Sequence, residues 1–212
     1  RGALRKGSRI TAATQLLTYS DMTIFENRGR RTLNEASTVE EFLGLRADLG
    51  AFALGSYFAE LLETVSAEEY PDPPVLQLGL NSLYALSRAL CPPEQIKAVF
   101  ELRLMCLAGY EPDLSCCARC GAPEPVEPWL SLRGGAVYCA QCRGASSSAV
   151  TPLLPETLAA MRHVVNADPK RIFSFTLGDA GLRQLARVCE EYTAMQLERG
   201  FASLDYWKKV KD

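Results

Sequence analysis

Two pairs of cysteines carry the most specific chemistry in this sequence. Cys117 and Cys120 stand three positions apart, as do Cys139 and Cys142, with 18 residues between the pairs. Two sulfurs at that spacing reach one ion from a tight turn, and a second such turn completes a tetrahedron of thiolates about 2.3 Å from zinc. Gly121 and Gly144, soon after each pair, permit the tight backbone that lets amide groups face the sulfurs. A four-cysteine site has no open coordination position, so zinc here is expected to be structural, not catalytic. Iron in the same cage remains open at the level of sequence. So does Cys116 in place of Cys117, at the less usual spacing of four.

Competing chemistries are weaker. Disulfides are disfavoured by the close pairing and by the lack of secretory features. A thioredoxin-like redox site expects one such pair in a βαβ context, and here there are two in a segment rich in proline and glycine. His163 is the single histidine, and no serine or cysteine nucleophile pattern accompanies it, so a surface or satisfied-core role is expected. Gly134-Gly135 reads as a turn within the cysteine segment, not a phosphate loop. Cys91, Cys106 and Cys189 fall on or beside predicted helices and read as small buried hydrophobes. No enzymatic constellation emerges, and the chain is expected not to be an enzyme.

The elements that must hold these cysteines follow from periodicity. Residues 14–26 are rich in Thr, Tyr, Ile and Phe and read as strand; Asn27-Arg28-Gly29 is a turn, and Arg31 to Val39 returns. One hairpin cannot bury a core, so the strands are expected to belong to a larger sheet, part of it before Arg1. Ser37 and Thr38 ahead of Glu40 and Glu41 read as the capped start of one long helix over 39–66, with Phe42, Leu45, Leu49 and Phe52 on its apolar stripe. Helices are predicted at 75–90, 94–108 (closed by Gly109), 155–165, 179–198 and 203–210, with an extended piece at 171–177. The order is a β piece, three helices, a cysteine-rich insertion and more helices: an α+β chain with a knuckle-like module set into a helical domain.

The 212 residues are 48% hydrophobic and 23% charged, ordinary for a globular protein, and no apolar run approaches a membrane span. Net charge is −2, which alone argues against nucleic acid. Its distribution does not: residues 1–35 carry seven basic against three acidic side chains, and residues 36–115 carry four against twelve. A basic end joined to an acidic middle indicates different partners or domains. The acidic set Glu40, Glu41, Asp48, Glu60, Glu63, Glu68 and Glu69 reads as a solvated face.

Several segments, in order along essentially the whole chain, resemble the RecO family of bacterial recombination mediators. They are Arg1-Gly2-Ala3 with Arg5-Lys6 and Ser8-Arg9; Leu33 to Ala36 followed by Phe42 to Arg46; Phe100 to Met105 with Gly109 to Leu114; Phe173 to Phe175; and Ser203 to Asp205. The resemblance implies an N-terminal OB-fold whose later strands occupy residues 1–38, a helical domain over 39–112 and 151–212, and a zinc module over 113–150; the first strands of that OB-fold are not in this sequence. It implies binding to single- and double-stranded DNA, annealing of complementary strands, and work with RecR to load RecA on strands coated by single-stranded DNA-binding protein (SSB). It implies a cytoplasmic, nucleoid-associated protein. An OB-fold groove tracks a nucleic-acid backbone with positive charge, so Arg1, Arg5, Lys6 and Arg9 are the expected DNA contacts, with Cys117, Cys120, Cys139 and Cys142 as metal ligands. The rival expectations are a zinc-ribbon factor of transcription or translation and, more remotely, a zinc hydrolase.

Overall fold

The computed structural model describes residues 10–211; Arg1, Arg5, Lys6 and Arg9 lie outside the described residues. A short helix α1 (Ile10–Ala13) leads into an antiparallel hairpin of β1 (Tyr19–Asn27) and β2 (Arg30–Glu40). Arg28 and Gly29 at the tip have φ of 49° and 73°, the paired left-handed residues of a type I′ turn, whose twist suits the flanking strands. Among the described residues this hairpin is the whole of the N-terminal sheet. Nearly all its side chains are exposed, and Leu17 and Tyr19 are the points where this end packs against the core.

The strand-to-helix junction differs from the sequence expectation. Ser37 and Thr38 do not cap a helix: they pair with Asp21 and Ser20 in the sheet. The chain then turns at Phe42, which has φ 47°, and the expected long helix splits into α2 (Leu43–Arg46) and α3 (Leu49–Val65). Asp48 caps α3 by accepting from the Ala51 amide at 2.8 Å, satisfying one of the orphan donors of a helix start. The strand also begins at Tyr19, later than residue 14, because residues 10–13 are helical.

The body holds α4 (Pro73–Ser87), α5 (Pro93–Leu107), α6 (Pro155–Asn166), α7 (Asp179–Leu197) and α8 (Ala202–Val210), close to expectation. Gly109 ends α5 with φ 87°; its amide reaches the Cys106 carbonyl and that of Tyr110 reaches Met105, the paired bonds of a Schellman cap. Residues 171–173 form a turn and 174–177 carry no regular element, with Ile172, Phe173 and Phe175 packed on the core.

Helix α5 is central, lying against α7 and α4, while α3 packs on α8. Phe58 stacks on Phe100 at 4.2 Å and Tyr57 meets Phe201 edge-on. Within this core sits a charged network. Lys97 Nζ lies 3.0 Å from Glu101 and 2.9 Å from Glu190, and the Tyr57 hydroxyl donates to Glu101 at 2.8 Å. Lys97 and Glu101 are fully buried, tolerable only because each is paired and hydrogen-bonded.

Most of the acidic set is exposed, as a solvated face requires, and three of its members also pair with cations elsewhere in the chain. Glu68 and Glu69, after α3, each sit 2.7 Å from Arg31, which Glu26 also contacts. Glu60 accepts from Ser203 and pairs with Arg199. Carboxylates of the negative segment thus contact the hairpin and α8.

Candidate metal centre

The insertion between α5 and α6 is built from two turns and a three-stranded antiparallel sheet in the order β4–β3–β5: β3 (Trp129–Ser131), β4 (Ala136–Tyr138) and β5 (Val150–Pro152). Strands this short cannot stand alone. Here one face supplies Leu130 and Val137 to the same core as the helices, joined by Leu114 and Leu153. The module is therefore an extension of the helical core.

The first turn carries Cys117 and Cys120 and closes through the Gly121 amide to the Cys117 carbonyl at 2.9 Å. Gly121 has φ 72°, a conformation that suits glycine. The second turn carries Cys139 and Cys142, with the amides of Cys142 and Arg143 on the Cys139 carbonyl. Gly144 lies in a single 3-10 turn (Arg143–Ala145) without a left-handed φ, so the need for glycine falls on Gly121 and not on both positions. Gly135, with φ 59°, turns β3 into β4; a Cβ there would meet the Tyr192 hydroxyl at 2.9 Å.

All four sulfurs lie within 4.8 Å of one another. Cys139 Sγ is 3.9 Å from both Cys117 Sγ and Cys120 Sγ. A tetrahedron with 2.3 Å arms has edges of about 3.8 Å, whereas a disulfide needs about 2.05 Å; all eight cysteines are free. The donor set thus fits a closed tetrathiolate centre. Cys116 stays out of the cluster, its sulfur accepting instead from the Ser115 hydroxyl at 3.7 Å.

The surroundings favour a thiolate. Burial pushes the Cys117 thiol up, but backbone N–H groups, first those of Cys120 and Cys139, bring it down to about 6; the Cys139 amide is 3.4 Å from its sulfur. Cys142 is pushed up to about 12, chiefly by its contact with Cys139 and by burial. Cys117 is thus the more acidic and Cys142 the less acidic of these two thiols, and binding of a divalent ion releases thiol protons.

The module is clamped from two helices by residues that the sequence reading passed over. Arg162 of α6 donates to the carbonyls of Leu114 at 2.7 Å, Pro123 at 2.7 Å and Ser115 at 3.2 Å, and pairs with Glu124 at 3.0 Å. Its one sequence signal is that no acid stands three or four positions away, so no partner on its own helix accounts for it. Gln184, Tyr192 and Gln196 lie on one face of α7 and bond Pro152, Tyr110 and Leu132. His163 contacts the Arg171 carbonyl at 3.0 Å and packs edge-on against Phe175, a satisfied structural role. Cys189 is fully buried, while Cys91 and Cys106 are half-buried, their thiols pushed up by burial to about 11 and about 12.

The family model described as "Recombination protein O C terminal" matches residues 46–205. The chain is 31% identical over 210 residues to the DNA repair protein RecO of Acetivibrio thermocellus, covering 99% of this chain and 83% of that one. It is 32% identical to the RecO protein of Heliobacterium modesticaldum over 90% of this chain and 70% of that one. The match to Alkaliphilus metalliredigens RecO is 28% identity over 99% and 85%. The chain belongs to the RecO family. No helix among the described residues is long and apolar enough to cross a membrane.

Proposed function

We propose that this chain is a DNA repair and recombination mediator without bond chemistry of its own. It binds single- and double-stranded DNA, anneals complementary strands and, with RecR, helps load RecA onto strands coated by SSB. The observation that carries this reading is the family match, which spans the helical domain and the metal module together and extends over 99% of the chain in relatives named DNA repair proteins. The hairpin Tyr19–Glu40 fits the later strands of an OB-fold over residues 1–38, and Arg1, Arg5, Lys6 and Arg9 precede it as candidate phosphate contacts. The four cysteines are the candidate ligands of a structural zinc ion that braces the domains 39–112 and 151–212. When bound, that ion supplies folding free energy and no reactive group.

The test is annealing. Complementary labelled strands, bare and SSB-coated, are mixed with and without the protein; faster annealing on both templates is expected. The rival zinc-ribbon factor is favoured if RNA is preferred and annealing is unchanged. The variant R5A/K6A/R9A is expected to bind more weakly with a flatter salt dependence, and an unchanged slope removes these residues from the interface.

A further inference from the structure

The outer face of the module sheet is not accounted for by bracing. Leu130 and Val137 point into the core, so Trp129 and Tyr138 stand on the opposite face, directly across from each other in the β3–β4 register. Pro152 faces Trp129 from β5. The row Tyr138–Trp129–Pro152 thus crosses all three strands, both aromatics partly exposed. The Arg143 guanidinium lies over the Trp129 ring at 4.3 Å. The first cysteine turn abuts the β4 edge through the Ala118 amide on the Val137 carbonyl, and Arg119 follows Ala118 in that turn. Arg119 and Arg143 are exposed, and no carboxylate among the described residues pairs with either.

We infer that this face is a base-stacking platform for single-stranded DNA. Bases offer π-faces that stack on aromatic rings and on guanidinium planes without regard to sequence, each worth about 1–3 kcal/mol. Four thiolates around a divalent ion carry a net −2, which would repel phosphates; the two arginines in the cysteine turns neutralise it. Of the three acids in the module, Glu124 is held by Arg162 and Asp113 accepts from Ser115, leaving Glu127 as the opposing charge. Duplex DNA, with its bases already stacked, lacks the exposed π-faces this surface takes. The inference rests on the proposed DNA binding and adds a second contact, remote in sequence from the N-terminal cations.

Trp207 is buried and is the other tryptophan of this sequence, so in the variant W207F the emission of Trp129 reports on the face. Oligo(dT) is expected to quench it, a duplex of equal length to leave it unchanged, and R143A or Y138A to weaken oligo(dT) binding about 3- to 10-fold with metal content intact. Should W207F fail to fold, the loss of affinity in R143A, measured by anisotropy in the otherwise native chain, serves instead. Oligo(dT) binding with unmoved Trp129 emission and native affinity in R143A overturns the platform alone. Equal quenching by duplex overturns the stacking. No binding of oligo(dT) at all overturns both this inference and the proposed DNA function.

Discussion

Arg162 donates from Nε to the carbonyl oxygen of Leu114 at 2.7 Å, tying a helix beyond the metal module to the segment that enters it. The other guanidinium nitrogens reach both sides of the first cysteine turn. Replacing Arg162 with Ala strands the carbonyl of buried Leu114, so a loss of about 1–3 kcal/mol in urea melts is expected, with faster metal release to a colorimetric chelator. Lysine is expected to rescue little, because an ammonium lacks the planar fork. Native stability in R162A would show that the clasp is ornamental.

Metal removal is expected to unfold more than the module. Leu130, Val137 and Leu153 belong to the helical core, so chelation should lower the melting temperature of the whole chain. Purified protein should hold about one zinc per chain. C120S should lose it and C116S should keep it, since only Cys120 is in the cluster. Equal melting temperatures for metal-loaded and metal-free reduced protein would sink the bracing role.

The buried network gives a third expectation. Lys97→Met removes the cation shared by Glu101 and Glu190 and leaves a carboxylate in the core, at a cost of about 3–5 kcal/mol. Tyr57→Phe removes one hydrogen bond to Glu101 and should cost about 1–3 kcal/mol. Denaturant midpoints compare the two; a milder K97M than Y57F would contradict the ranking.

Acid sensitivity follows from Glu190. Burial pushes its carboxyl up, but the ammonium groups of Lys97 and Lys208 reverse this and hold it below its ordinary 4.5. Its contribution is therefore present above pH 4.5 and lost as pH falls through the lower folded value. Glu101 runs the other way, pushed up by burial, so the folded state takes up its proton first. The wild-type minus E190Q difference in melting temperature should shrink below pH 4.5; a difference constant down to pH 3 would exclude the linkage.

The helices and the cysteine cluster were legible because both obey local rules. Apolar spacing set α4 through α8 to within a few residues, and paired cysteines three apart admit few geometries. The junction at Phe42 was not legible. Ser37, Thr38, Glu40 and Glu41 spell a helix start, yet pairing with β1 claims the first two, a non-local choice that local propensity does not register. Arg162, Arg31 and Lys97 were opaque for the same reason. Their partners lie up to 48, 38 and 93 positions away, and a charged side chain carries no mark of its distant acceptor. The total charge is uninformative in another way, because it averages a basic end with carboxylates that pair within the chain.

Arg31 and its three exposed carboxylates have an effect on how solution data are interpreted. Near the tip the hairpin meets the helical body through this cluster, whose members are 47% to 80% exposed. Ions at physiological strength screen such charges over roughly 8 Å. Added salt therefore acts on the posture of the hairpin as well as on any phosphate beside it. A slope of log affinity against log salt would then count counterions released from DNA together with a domain reorienting, and so overstate the number of phosphates touched. Repeating the titration in E68Q/E69Q, where the clasp is already open, separates the two.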